Sequence, residues 1–190
     1  MQTLFDAARR LQEFCEGHGW PHCFIGGVAV WRWGEPRFTR GVDLTLLAGF
    51  GGEEKIVDTF LAAYAPRVQP ARDLFVAQRV MRLLDEGGIP LDVALGGLPF
   101  EELAVERARL FAFPEGPTLR ICSAEDLVVM KAFAARPHDW VDVDSVVARH
   151  HAQLDWTYIY AQLAPLAEHN SRMDVVAELK KIQRQRETRR

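Results

Sequence analysis

The chain lacks several features that would place its class at once. No apolar run approaches the roughly 20 residues needed to span a bilayer, and the opening MQTLFDAARR has no apolar core of the signal-peptide kind. Cysteine is scarce. Cys15, Cys23 and Cys122 are an odd number with no CxxC pair, a pattern of free thiols in a reducing, cytoplasmic setting rather than of a disulfide framework. Charge of one sign is also lacking. With 23 Lys and Arg against 26 Asp and Glu, the formal net charge is −3, which gives no global electrostatic pull toward nucleic acid or membrane. There is no internal repeat and no low-complexity linker. What remains is 190 residues, 48% hydrophobic and 26% charged, enough for one domain with a real core, or one domain and a small helical appendage.

The one local excess of charge is the C-terminal KKIQRQRETRR, with six basic residues and one acid. Cations at a helix C-terminus are favoured by the dipole and stay solvated; the same residues would guide an RNA acceptor.

Hydrophobic spacing predicts a helix over 3–16, stopped by glycine in EGHGW. HCFI is a short strand running into Gly26-Gly27, and VAVWRW a short helix ended by Gly34-Glu35-Pro36. VDLTLLA reads as a strand with Val42, Leu44 and Leu46 on one face and Asp43, Thr45 and Leu47 on the other. A helix over 53–64 follows, then RVMRLLD and IPLDVAL as a hairpin. PFEELAVERA is helical, and RLFAF with TLRIC makes a second strand pair. Ser123 caps a helix running to about 135, with an acid three residues on. A helix over 139–149 and a helical remainder complete the chain. This order implies an α+β core over 1–122 and a helical region over 123–190 packed on it. The tryptophans Trp31, Trp33, Trp140 and Trp156 are expected in or near the core.

Three features carry chemistry. Gly26-Gly27 between strand and helix lets backbone N–H groups face an anion at a helix N-terminus, although a plain tight turn would use the same residues. Asp43 and Asp92 are strand aspartates, and Asp is depleted in strands. Two such carboxylates on neighbouring strands would form a hard-oxygen Mg²⁺ site; otherwise each is solvated or paired with an arginine. Lys131, followed by Arg136, Asp139, Asp142 and Asp144, supplies the charges a metal-bound triphosphate requires, or a salt-bridge network between helix ends. A zinc module on Cys15, His18, His22 and Cys23 has suitable residue types, but its spacing matches no known finger.

Taken together, FIGGVAV, WGEPRFTRGVDLTLLAGFGGEE, IPLDVALGGLPFEE and CSAEDLVVMKAFAARPHDWVDVDSVV, in this order over residues 20 to about 150, resemble the nucleotidyltransferase superfamily with the DNA polymerase β-like fold. Within it they are similar to the AbiEii/AbiGii-type toxin branch and its uncharacterised relatives. The resemblance implies a mixed sheet flanked by helices and followed by a C-terminal helical segment. It implies that Gly26 and Gly27 hold nucleotide phosphates and that Asp43 and Asp92 bind Mg²⁺ and are catalytic. It assigns Arg37, Thr39, Lys131 and Asp142 to nucleotide binding. The implied partners are an NTP, an RNA or protein acceptor and an antitoxin, with no membrane.

The chain departs from the family at Gly41, where the first aspartate of D-x-D belongs. A metal-bridging carboxylate supports stabilisation of roughly several kcal/mol, so its loss implies a rate lower by orders of magnitude. Two functions follow: a nucleotidyltransferase, weakened at Gly41, or a catalytically silent homologue that binds NTP or a protein partner as a regulator.

Overall fold

The computed structural model describes residues 2–188. The chain divides into two compact units. One comprises the residues up to Val28 together with Phe38–Cys122, the other Ala29–Arg37 together with Ser123 onward.

The first unit is built on a seven-stranded mixed sheet in the order β3-β4-β5-β2-β1-β7-β6. Helix α1, Gln2–Gly17, leads into β1, His22–Phe24. Helix α2, Gly26–Trp33, follows, and then β2, Val42–Leu47. Next come α3, Glu53–Ala63, the short β3, Ala65–Pro66, and α4, Ala71–Gln78. Strands β4, Val80–Leu84, and β5, Pro90–Gly96, form the expected hairpin. Helix α5, Pro99–Arg107, precedes β6, Arg109–Ala112, and β7, Thr118–Ile121.

The period-2 pattern holds where the sequence predicts it. Val42, Leu44 and Leu46 are buried, as are Leu91, Val93 and Leu95. Helix α1 buries Leu4, Ala7, Ala8, Leu11 and Cys15 on one stripe. Two elements differ from expectation. Helix α2 starts at Gly26 rather than Val28, so both glycines lie in its first turn. Residues 65–78, unassigned by periodicity, form β3 and α4.

The second unit holds α6, Ala124–Ala134, α7, Pro137–His150, α8, Trp156–His169, and α9, Met173–Glu187. The Ser123 hydroxyl accepts from the Asp126 N–H at 3.1 Å and donates to Oδ2 of Asp126 at 2.6 Å, which is the cap read from SAED. Asp126 is fully buried, and its Oδ1 accepts from the Tyr158 hydroxyl at 2.6 Å. Asp144 pairs with Arg186, so one cation of the basic C-terminal stretch ties α9 to α7. Arg189 and Arg190 of that stretch lie outside the described residues.

Among the described residues no helix is long and apolar enough to cross a membrane. All three cysteines are buried and free, and burial pushes the Cys15 thiol up to about 12.

Candidate active site

The sheet register brings the two strand aspartates together. β2 and β5 pair in parallel, with Asp43 directly beside Asp92. Both side chains stand on the face opposite the buried leucines and valines, and both residues are half-buried. Neighbouring strands lie roughly 4.8 Å apart, so two carboxylates here share one small volume.

Beside Asp43, on the β1 flank, lies Gly26. The Ile25 N–H donates to the Asp43 carbonyl at 3.0 Å. Gly26 has φ +56, and a Cβ there would overlap the Asp43 carboxylate, reaching 2.6 Å from its Cγ. Gly27 faces Thr39 in the same manner, its absent Cβ 2.5 Å from Oγ1. The two glycines are therefore needed because Asp43 and Thr39 press on the backbone of the first helical turn. The Thr39 hydroxyl itself donates to the Gly41 carbonyl at 3.2 Å.

Gly41 has its own constraint. An added Cβ would stand 2.7 Å from the Pro90 carbonyl oxygen and 3.1 Å from Pro90 Cβ. The first contact is with backbone, which cannot swing aside as a side chain does. An aspartate at 41 would require the start of β5 to move.

On the other flank of Asp92, the antiparallel β4–β5 register puts Arg82 opposite it. The Arg67 N–H then donates to the Arg82 carbonyl at 2.8 Å. One row thus runs from Arg67, just past β3, through Arg82, Asp92 and Asp43 on three neighbouring strands, and ends at Gly26. Arg67 forms an ion pair with Oδ1 of Asp92. Arg82 is exposed on the same face.

The sequence treats neither arginine as part of the site. For Arg82 the signal was incomplete: counting back from an Asp85–Gly88 turn puts it opposite Leu91, and the fifth connecting residue, Ile89, moves it to Asp92. Arg67 lies in APRVQP, where two prolines erase the periodicity, and nothing local marks it.

Two carboxylates suit a single Mg²⁺ ion, which takes one or two protein carboxylates and completes its shell with phosphate and water. Arg67 engages only Oδ1 of Asp92, which leaves Oδ2 for a cation. Among the described residues no group of three or more His, Cys, Asp or Glu side chains gathers as a metal cluster. That includes the zinc quartet: His18 Nδ1 lies 2.8 Å from the Phe14 carbonyl and His22 Nδ1 2.9 Å from that of Trp20.

The remaining expected residues belong to the second unit. Arg37 Nε and Nη2 donate to the two oxygens of Asp142 at 2.7 and 2.8 Å. Lys131 Nζ lies 2.8 Å from Asp139 and 2.9 Å from Asp142. Both aspartate side chains are 2% exposed, against 37% for Arg37. Burial pushes the Asp142 carboxyl up, but hydrogen bonds and charge from Arg37 and Lys131 outweigh it and hold the group below the usual carboxylate range. The cluster is two cations on two buried carboxylates, a neutral unit in which each charge offsets the desolvation of the others. Lys131 is thus already paired, as the helix-end salt-bridge alternative describes.

A groove of 720 Å³, lined by Trp20, His22, Leu47 and Glu102 among others, opens at the opposite end of β1 and β2 and holds none of the residues expected to bind nucleotide or Mg²⁺.

The α+β architecture, a mixed sheet with a trailing helical region, is that of nucleotidyltransferase-like proteins. The chain is similar in structure to an antigenic nucleotidyltransferase-like protein from Paracoccidioides brasiliensis, with TM-score 0.54, 15% identity, and 93% of this chain and 92% of that one covered. It is also similar to the solution structure of the antibiotic-resistance factor ANT(2'')-Ia, with TM-score 0.54, 16% identity and coverage of 93% and 97%. The crystal structure of ANT(2'')-Ia in complex with adenylyl-2''-tobramycin gives TM-score 0.53, 17% identity and coverage of 89% and 99%. At these identities the likeness is one of fold. No protein-family model matches the chain, and no curated protein matches its sequence.

Proposed function

We propose that this protein transfers a nucleoside monophosphate from an NTP to an acceptor hydroxyl. The observation that carries this is the seat of Asp43: its carboxylate lies against the Gly26 backbone at a helix N-terminus, in register beside Asp92. A glycine-built helix N-terminus and two neighbouring carboxylates thus share one point of the sheet.

In this reading Gly26 and Gly27 present the first N–H groups of α2 to the phosphates. Thr39 fixes the loop that delivers β2. Asp43 and Asp92 would hold a Mg²⁺ ion, which would supply charge stabilisation to the α-phosphoryl transition state. The hydroxyl oxygen bonds to the α-phosphorus as the bond to the β-phosphate oxygen breaks. Pyrophosphate leaves with the electron pair, and the hydroxyl proton passes to solvent. Arg37, Lys131 and Asp142 are assigned to nucleotide binding by the sequence resemblance alone. An RNA or protein acceptor, an antitoxin partner and a cytoplasmic location rest on sequence in the same way.

The second reading, a silent homologue that binds NTP or a partner protein as a regulator, draws on two features. Gly41 takes a carboxylate from the site, and Arg67 occupies one oxygen of Asp92. Incubation with α-labelled NTPs, Mg²⁺ and total RNA separates the two. Label in RNA or protein that disappears in Asp43→Asn and Asp92→Asn sustains the transferase. Equilibrium NTP binding without label transfer or pyrophosphate release sustains the silent homologue.

A further inference from the structure

We infer that the acceptor carries a phosphate beside its hydroxyl, and that Arg82, backed by Arg67, binds that phosphate. This rests on the transferase reading above and names the substrate class for the same site.

The row of side chains has a direction. Gly26 flanks Asp43 on the β1 side, while Asp92, Arg82 and Arg67 follow in register on the other side. In-line displacement places the entering oxygen opposite the leaving one. With the leaving pyrophosphate at the Gly26 end, the acceptor enters over Asp92, from the β4 and β3 strands. The next side chains it meets are Arg82 and Arg67. Each strand adds roughly 4.8 Å, so Arg82 stands about 10 Å from Asp43, within reach of a group attached near the reacting hydroxyl.

The two arginines are themselves informative. Arg67 directly follows β3 and its N–H bonds the Arg82 carbonyl, so the two arginines stand on neighbouring backbones, and like charges so placed repel. Arg67 relieves part of this through Asp92. Arg82 is exposed between buried Met81 and Leu83, and its guanidinium makes no ion pair or side-chain hydrogen bond among the described residues. A phosphate between them removes the repulsion and suits the planar fork of a guanidinium. An acceptor bearing ammonium groups at that place meets two positive charges instead. A phosphodiester strand with a free 3′-hydroxyl and a phosphorylated small molecule share the required chemistry.

The test has two parts. Binding of a short fluorescein-labelled oligoribonucleotide is followed by anisotropy across a salt series, for the parent chain, Arg82→Ala and Arg82→Glu. Arg82 is exposed, so the variants should keep the fold, which circular dichroism checks. Affinity is expected to fall about tenfold in Arg82→Ala, with the slope against log salt reduced by about 0.7 for one lost phosphate contact on a single strand. A merely structural role would not move that slope. Transfer from α-labelled ATP is then offered three acceptors: the oligoribonucleotide, glycerol 3-phosphate and a polyamino sugar. Label on the first identifies a strand end, and label on the second a phosphorylated small molecule; both sustain the inference. Label on the polyamino sugar alone overturns it while upholding the transferase. No label and no pyrophosphate count against the transferase. Anisotropy then decides the role of Arg82, and an Arg82→Glu chain with unchanged affinity and slope overturns it.

Discussion

Replacing Gly41 with alanine and, separately, with aspartate divides the cost of a side chain there from the effect of its charge. The alanine Cβ would stand 2.7 Å from the Pro90 carbonyl oxygen. β2 and β5 pair in parallel from Val42 and Leu91 onward, so relief requires the two strands to part at the end that carries the aspartates. Overpacking of this kind costs about 1–3 kcal/mol. Aspartate adds a charge two residues from Asp43. Two residues along a strand are roughly 7 Å, and like charges at that distance repel by about 0.6–2.4 kcal/mol for effective dielectric constants of 80 down to 20. The site is half open to solvent, so the lower end applies.

Urea denaturation with EDTA and with Mg²⁺ checks both parts. Gly41→Ala should lose about 1–3 kcal/mol in either condition. Gly41→Asp should lose more in EDTA and recover only the excess over alanine when Mg²⁺ is added, because a ligand bound to the native state adds RT ln(1 + [L]/Kd). The steric part is indifferent to metal. If Gly41→Ala unfolds at the parent midpoint, the Pro90 contact is not what keeps glycine at 41. If Gly41→Asp matches the parent in EDTA yet gains strongly with Mg²⁺, a third carboxylate fits without strain and the chain lacks only the ligand.

Gly26→Ala forces a φ of +56 on a residue with a Cβ, at about 1–2 kcal/mol. It also drives Asp43 from its seat, so thermal melting should show the loss and nucleotidyl transfer should vanish. Asp43→Asn and Asp92→Asn should each lower label transfer by at least about a hundredfold with little change in urea midpoint, since both residues are half-buried. Asp142→Asn breaks a buried pair and should cost about 2–3 kcal/mol at neutral pH, less than a fully buried pair because Arg37 is partly exposed. Its pH dependence has a definite sign. The folded carboxyl lies below its ordinary value, so its contribution is full above the unfolded pKa and is lost as pH falls through the lowered folded one. Parent and variant should converge in urea midpoint below the ordinary aspartate range.

How much of the site was legible in sequence varies residue by residue, for physical reasons. Alternation alone put Asp43 and Asp92 on the polar faces of their strands, because the buried Val42, Leu44, Leu91 and Val93 leave no other face. That the two stand side by side was not legible from alternation. β2 and β5 pair in parallel with two helices and two strands between them, and no local pattern encodes such a register. Gly26-Gly27 was visible as a turn, but its reason, the Asp43 carboxylate over the backbone, is a contact between segments. Lys131 was visible on an amphipathic pattern. Its partners, Asp139 and Asp142, lie beyond the Arg136-Pro137 break, and the angle of that corner depends on packing. Counting from the hairpin turn brings Arg82 within one residue of Asp92, short by Ile89 in the connection; for Arg67 no count is possible.

The same row of charges bears on how metal would arrive. With an aspartate at 41, three carboxylates would face Arg67 and Arg82. With Gly41, two carboxylates face two arginines and the row is neutral. A neutral site has little Coulombic attraction for a bare divalent cation. Mg²⁺ is also slow to shed its water and prefers one or two carboxylates together with substrate phosphates. The ion is therefore expected to bind with the triphosphate rather than before it. Calorimetry should show weak or no heat for Mg²⁺ alone and clear binding of Mg-NTP. Tight Mg²⁺ binding to the free protein, abolished by Asp92→Asn, would mean that Arg67 yields Asp92 readily and that the arginines do not balance the site.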